Sequence, residues 1–406
     1  MHQAETVSNS PTSLVKISDR VMSIDLLRAI TMVLMIFVND LWSLTDIPAW
    51  LEHVPQGADG IGLADTIFPA FLFIVGMSLP YAIEARRKKG ATVTALVGHV
   101  VGRSIALLVM GVFLVNGESI NEAASGIQRA GWNTLSCLSF ILIWGVYPKS
   151  PSSGLVGASK GIGIICLLIL AFLYRGGDVT LTRFGTHWWG ILGLIGWSYL
   201  AAALVTVFAR GRSSLLFLAW IGFAILSMAD QAGLVPVAVD FIPAAIRGGT
   251  LVGLAMGGVV VATLFQGYRQ RGDTTWMTGV FLLLSVLLIG LSVGTRPFWG
   301  LSKLGATPAW LFLCSAFTLL AFTALYWLAD IGKKATWFSA IKPAGTDTLL
   351  CYLLPYFAYA LMTLLPFHLP KALLTGGVGL LKSLLFALFC AWTTGLLNRA
   401  GIRLKL

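Results

Sequence analysis

Histidine is scarce in this chain, five in 406 residues. One of them, His53, stands in the polar stretch "WLEHVPQGADGIGLADTIFP" between two long apolar runs. An imidazole titrates near neutrality, so it can take a proton from an attacking amine or hydroxyl, or attack an activated acyl group itself. Further on, Asp65 opens the second apolar run. A carboxylate there either caps the helix or holds an imidazole in one orientation. Ahead of the histidine, Asn39 ends the first run. Its amide can cap that helix or donate a hydrogen bond to a developing oxyanion. A lone loop histidine is more often a solvated surface residue, and what sets this one apart is its company.

Charges inside the apolar runs form the second set. Asp25 and Arg28 in "SIDLLRAITMVLMIFVND" are three apart, so they share a helix face and can pair. Such a pair is either structural or leaves the guanidinium to meet an anion. His99 and Arg103 lie four apart on a later run, where Arg103 could contact a phosphate. Gln128 and Arg129 in "GIQRAGWN" and Lys303 in "GLSKLGATPAW" are the remaining polar candidates for holding a substrate. No phosphate-binding glycine loop, dinucleotide fingerprint, zinc-binding H-E-x-x-H or nucleophile elbow is present, and no spacing suggests a metal site.

These residues must be positioned by membrane helices. The chain is 57% hydrophobic and 11% charged, well short of the charge of a soluble domain. Apolar runs recur from Met22 onward, each long enough to cross roughly 30 Å of hydrocarbon as a helix. The expected fold is an all-α polytopic membrane protein, a bundle of 11–12 transmembrane helices with no soluble domain. The spans centre near residues 32, 73, 107, 139, 166, 198, 221, 256, 285, 319, 356 and 385, with the fourth and seventh short. The polar first twenty residues lack the apolar core of a cleaved signal, so the first span is expected to serve as an uncleaved targeting signal. The five cysteines lie in or beside apolar runs and read as small hydrophobes.

The net charge of +11 does not point to nucleic acid, because it is dispersed as short clusters between spans, such as "RRKK" at 86–89. With the N-terminus in the cytoplasm, eighteen of the 28 Lys and Arg fall inside and seven outside, leaving Arg28, Arg103 and Lys382 within spans. That is a positive-inside pattern, and it puts the His53 loop outside. Tryptophans 42, 50, 188, 189, 299 and 310 then sit near the outer ends, where an interfacial belt belongs. The resulting domain plan is a cytoplasmic tail over 1–20 and one transmembrane domain over 21–400.

"RVMSIDLLRAITMVLMIFVN", a loop histidine and "LADTIFPAFLFIVGMS" together resemble the heparan-α-glucosaminide N-acetyltransferase family and its bacterial relatives, within the wider class of transmembrane acyltransferases. The matching positions are Ser23, Asp25, Arg28, Asn39, His53, Asp65, Phe68 and Pro69, with looser echoes in "GIQR", "SKLGATPAW" and "AGTDTLLCY". The strong part covers roughly residues 20–80. Ala29 stands where the family usually has glycine, Asp347 where it has asparagine, and "VPQGADGIG" is a longer insert after the histidine. The resemblance implies transfer of an acetyl group from cytoplasmic acetyl-CoA to a glucosamine amine across the membrane. It implies a catalytic role for His53 and Asn39, with Asp65 beside them. Arg28 and Arg103, toward the inner side, are then expected to meet the phosphates of the acyl-CoA. Gln128, Arg129 and Lys303 are expected to bind the glycan or amino-sugar acceptor. The longer insert is expected to line the acceptor side. The expected surroundings are the lipid bilayer of a bacterial inner membrane, with room left for a homo-oligomer. A secondary transporter of a small solute is the alternative, since twelve spans with an inner N-terminus suit one as well.

Overall fold

The computed structural model describes residues 21–147, 153–178, 180–365 and 369–406. The tail over 1–20, with Lys16 and Arg20, and Lys149 lie outside the described residues. The long helices are α1 (Met22–Asp40), α2 (Ala64–Lys88), α3 (Val93–Glu118), α4 (Arg129–Trp144), α5 (Ser153–Leu173) and α6 (Ile191–Ala209). They continue as α7 (Ser213–Gln231), α8 (Thr250–Arg271), α9 (Thr274–Trp299), α10 (Pro308–Leu325), α11 (Thr348–Leu364) and α12 (Gly376–Arg399). One helix falls on each expected span. Among the described residues, 10 are long and apolar enough to cross a membrane. The fourth is short as expected, at 16 residues. The seventh, also expected short, runs 19 residues, and the second short helix is instead α11 at 17.

Contacts between connections sort the helix ends into two groups. At the end where α1 begins, Asp330 accepts from the backbone of Met22 and Ser23, Arg86 meets His99, and Val146 pairs with Arg403. At the opposite end Thr45 pairs with Thr375, Ile120 with Gly176, and His53 meets Lys303. The first is called the basic end below, because the Arg86–Lys89 cluster and Arg403 lie there; the second is the His53 end.

Burial separates the inner helices from the outer ones. The apolar window of α8 is 72% buried, whereas those of α5 and α7 are 17% buried. Exposed Leu168, Phe172, Leu218 and Leu287 on the outer helices form a surface that only hydrocarbon satisfies. The chain is an integral membrane protein. Inside, α2 and α8 meet backbone to backbone. A Cβ on Gly76 would lie 1.8 Å from the Ala255 carbonyl oxygen, and one on Gly258 would lie 1.9 Å from that of Phe73. Hydrocarbon gives no hydrophobic drive between helices, so close approach of small residues supplies the contact. This pairing fixes α2, which carries Asp65 at one end and Arg86 at the other.

α1 runs through the middle of the bundle against α2, α10, α11 and α12. Its start is held by an acid that reaches it from far along the chain. A π-helical turn over Tyr326–Ile331 aims Asp330 at the open backbone of Met22 and Ser23, at 3.0 and 2.8 Å. A carboxylate at a helix start satisfies orphan amides and complements the helix dipole. The five cysteines are unpaired and all but Cys166 are fully buried.

Candidate functional site

The His53 loop is folded back on itself before it meets any other element. A short helical turn over Ala49–Leu51 leads in, and the Leu63 amide donates to the Trp50 carbonyl at 2.7 Å. The two limbs approach so closely that a Cβ on Gly62 would lie 1.8 Å from the Glu52 carbonyl oxygen. Any side chain there would open the loop.

Asp65, buried in the first turn of α2, organises the interior of this loop. One carboxylate oxygen accepts from the amides of Val54 and Gly62, at 3.0 and 3.1 Å. The other lies 2.7 Å from Nδ1 of His53. The carboxylate therefore spends its oxygens on the loop and the ring, and not on capping the start of α2. An ionised carboxylate only accepts, so Nδ1 carries a proton, and in a neutral ring Nε2 then presents its lone pair. The His53 side chain is 47% exposed at the His53 end.

Lys303, from the connection between α9 and α10, completes the cluster. Its Nζ lies 3.2 Å from Nδ1 and 3.5 Å from Nε2 of His53, and 3.9 Å from the Asp65 carboxylate. The lysine nitrogen lies nearer Nδ1 than Nε2 and stands beside the ring as a whole. Burial of the lysine pulls its pKa below 10.5, and this outweighs the opposing pull of Asp65. A lysine thus stands beside the imidazole ring that Asp65 holds. The same segment supplies Trp310, whose ring nitrogen donates to the Asp65 carbonyl at 3.0 Å. Trp310 is 1% exposed, so it belongs to the core and not to the interfacial belt in which its position had placed it. Trp42, Trp50 and Trp189 are exposed as a belt requires.

The middle of the loop, "VPQGADGIG", is fastened to that same connection. The Asp59 carboxylate accepts from the Leu301 amide at 2.7 Å and from Arg296 Nε at 3.1 Å, and the Gly60 amide donates to the Leu301 carbonyl at 2.9 Å. The Leu301 amide above all, with Arg296, holds the Asp59 pKa below 3.8. The acid of this insert is engaged with the fold and does not stand free as an acceptor ligand.

The other candidates of this end are not drawn into the His53 cluster. Asn39 is exposed on the last turn of α1, and among the described residues its side chain makes no hydrogen bond. Arg129 donates to the Glu118 carbonyl at 2.6 Å, and its backbone amide to the Glu122 carboxylate at 2.9 Å. Gln128 is exposed just before α4. The neighbour of Asn39 is engaged instead. Asp40 is buried and accepts from Lys382 and Ser383, each at 2.6 Å, and from the Tyr359 hydroxyl at 2.7 Å. A lysine within the last span was the visible half of this cluster; its partner, 342 residues away, was not legible.

At the basic end a cavity of about 330 Å³ opens, and Arg28 and Arg103 both line it, with Arg86, His99, Tyr199 and Lys405. Arg28 is held by Asp25 at 3.2 Å and by the Ser78 hydroxyl at 2.6 Å. The Arg103 guanidinium lies over the Tyr199 ring, 4.9 Å from its centre, and its buried Nε has no partner among the described residues. Asp347 also lines this cavity. It is turned to the Leu404 amide and, with the Asn398 amide oriented to satisfy its neighbours, to Asn398 at 2.9 Å. The cavity reaches Met35 and Phe71. At 1.5 Å per residue it extends about 22 Å along α2 from Arg86 and ends about 9 Å short of Asp65.

Residues 20–202 match a family described as "Domain of unknown function (DUF5009)". The chain is also 31% identical over 103 residues to the heparan-alpha-glucosaminide N-acetyltransferase of Mus musculus, and 31% identical over 101 residues to that of Homo sapiens. Each match covers 24% of this chain and 14% of the relative. The similarity is distant and partial, and it agrees with the resemblance read from the first two spans.

Proposed function

We propose that this protein is a transmembrane acyltransferase that moves an acetyl or short acyl group from cytoplasmic acetyl-CoA to an amino sugar or other glycan on the opposite side of the membrane. The observation that carries this reading is the 2.7 Å pairing of His53 with buried Asp65 at one end of the bundle, opposite an arginine-lined cavity that reaches toward it from the other. The excess of Lys and Arg at the basic end supports a cytoplasmic N-terminus.

The donor suits the cavity. A polyanionic nucleotide needs cationic donors, and Arg28 and Arg103 line the cavity, with the Arg103 Nε unsatisfied among the described residues. The apolar stretch from Arg28 to Met35 would lead the acyl arm along α1 toward His53.

At the His53 end the chain's own groups divide the work. Asp65 keeps the proton on Nδ1, so Nε2 takes the proton of the attacking amine or hydroxyl as it adds to the thioester carbonyl. The Lys303 ammonium donates to the oxyanion that forms. Collapse of that adduct expels the thiolate, which takes the proton back from the imidazolium. In the covalent variant, Nε2 attacks the thioester itself and expels the thiolate; the acyl-imidazolium then passes its acyl group to the acceptor, and the freed Nε2 takes the acceptor's proton and returns it to the thiolate. Both variants need the same tautomer and the same neighbouring cation.

The test uses purified full-length protein in liposomes. His53→Ala abolishes acetyl transfer to a glucosamine acceptor and leaves acetyl-CoA binding and thermal stability as in the parent. Unchanged turnover by that variant, or uptake of an unmodified solute with no acetyl-CoA binding, overturns the reading and favours a transporter.

A further inference from the structure

The insert that follows His53 does a job at a distance. Asp59 lies six residues beyond the histidine in sequence, and neither carboxylate oxygen touches it. Both oxygens accept from Arg296 Nε, and one also takes the Leu301 amide. Gly60 adds the reciprocal bond to the Leu301 carbonyl, so two loops 242 residues apart are pinned at a single residue. Leu301 is itself 5% exposed and anchored in the core. Two residues past this pin comes Lys303, whose Nζ lies against both nitrogens of the His53 ring. The ring and the lysine thus stand on separate loops, and four hydrogen bonds at Asp59 and Gly60 join the His53 loop to Leu301 and to Arg296 at the end of α9.

We infer that Asp59 is a positioning residue for the reaction proposed above: it latches the His53 loop to the Lys303 connection and so sets the distance between the lysine ammonium and the reactive imidazole nitrogen. A long flexible lysine can be held at one spot only if its backbone is fixed; the Lys303 carbonyl accepts from the Ala306 amide at 3.0 Å and the Ser302 amide donates to the Thr307 hydroxyl at 3.1 Å, and Leu301 is where this turn is joined to the His53 loop. The latch contributes nothing to donor binding, because the arginine-lined cavity opens at the far end of the bundle. It also explains why the insert is longer than the histidine alone requires, since its tip must span the gap to the other connection.

This inference rests on the acyl-transfer reading, and the test separates the two. Asp59→Ala lowers kcat by about tenfold to a hundredfold, the scale of a misplaced catalytic group, with the KM for acetyl-CoA unchanged. Asp59→Asn keeps one acceptor for the Leu301 amide and recovers most of that loss. In a Lys303→Met background, Asp59→Ala costs less than about twofold, because the group it positions is gone. The pH–rate profile gives a second readout. Asp59→Ala and Lys303→Met displace its acid limb in the same direction, whereas a loop that is merely loosened lowers the rate equally at every pH. Equal losses in both backgrounds, or a profile of unchanged shape, overturn the latch while leaving His53 as the reacting group. Full activity of His53→Ala overturns the acyl-transfer reading itself.

Discussion

Replacing Asp65 by asparagine exchanges one oxygen for an amino group and changes almost nothing in volume. Three donors converge on the carboxylate: the amides of Val54 and Gly62 on one oxygen and the His53 ring on the other. An asparagine carbonyl can serve the two backbone amides, and its amino group then faces Nδ1. Two N–H groups cannot share one contact, so Nδ1 gives up its proton and the ring takes the Nε2–H tautomer. The lone pair now points into the loop and the nitrogen beside the substrate has none to offer. Losing general-base function costs about 10²–10⁴ in rate, or about 2.7–5.4 kcal/mol of transition-state stabilisation. The fold should suffer less, about 1–3 kcal/mol, because every buried amide keeps an acceptor. The assay is acetyl transfer in liposomes at saturating acetyl-CoA, with thermal unfolding of the same preparations beside it. Asp65→Asn should lower kcat by at least a hundredfold while retaining its fold. A kcat within threefold of the parent would show that the ring's tautomer does not matter and would refute the reasoning.

The other predictions address the remaining elements. Arg103→Ala weakens acetyl-CoA binding about tenfold to a hundredfold by calorimetry, the worth of one charge-assisted hydrogen bond, and leaves any acid–base limb of the rate profile in place. Lys382→Met strands Asp40 as a buried anion and costs about 3–5 kcal/mol of stability, whereas the pair Asp40→Asn with Lys382→Met recovers much of it, as read by thermal unfolding. Burial lowers the Lys303 pKa below 10.5, so the folded protein holds that proton less tightly than the unfolded chain. Stability should therefore rise with pH through the window between the lowered value and 10.5, and Lys303→Met should flatten that rise in a pH series of unfolding temperatures. Gln56→Cys, in a background with Cys166 replaced by alanine, should be labelled by an impermeant thiol reagent from outside the cell only; labelling from the cytoplasmic side alone reverses the proposed orientation.

Hydropathy and charge run along the chain, and what they control could be read there. An apolar run long enough for hydrocarbon becomes a helix because every backbone group must be satisfied inside it; a helix falls on each expected span, and among the described residues 10 of them are long and apolar enough to cross a membrane. The three-residue spacing of Asp25 and Arg28 set their pairing, because helix geometry alone puts them on one face. His53 stood out by the company of Asp65, although spacing alone left the acid as either a helix cap or the partner of the ring. The length of α7 and the shortness of α11 were not legible, because helix ends are decided by local backbone satisfaction and packing more than by hydropathy.

Other features depended on which helices lie side by side. Lys303 is 250 residues from His53, Lys382 is 342 from Asp40, and Asp59 is 242 from Leu301. No periodicity links such residues; they meet because close packing of α2 on α8 and of α1 on its neighbours fixes where each connection emerges. Trp310 shows the same limit from the other side: near a helix end it read as a belt residue, yet packing buried it against Asp65. The sequence by itself determined the membrane fold and the histidine at the centre of the candidate site. Only the tertiary structure decided what stands around that histidine, because hydrogen bonds and charges act over a few ångströms of space, whatever the distance along the chain.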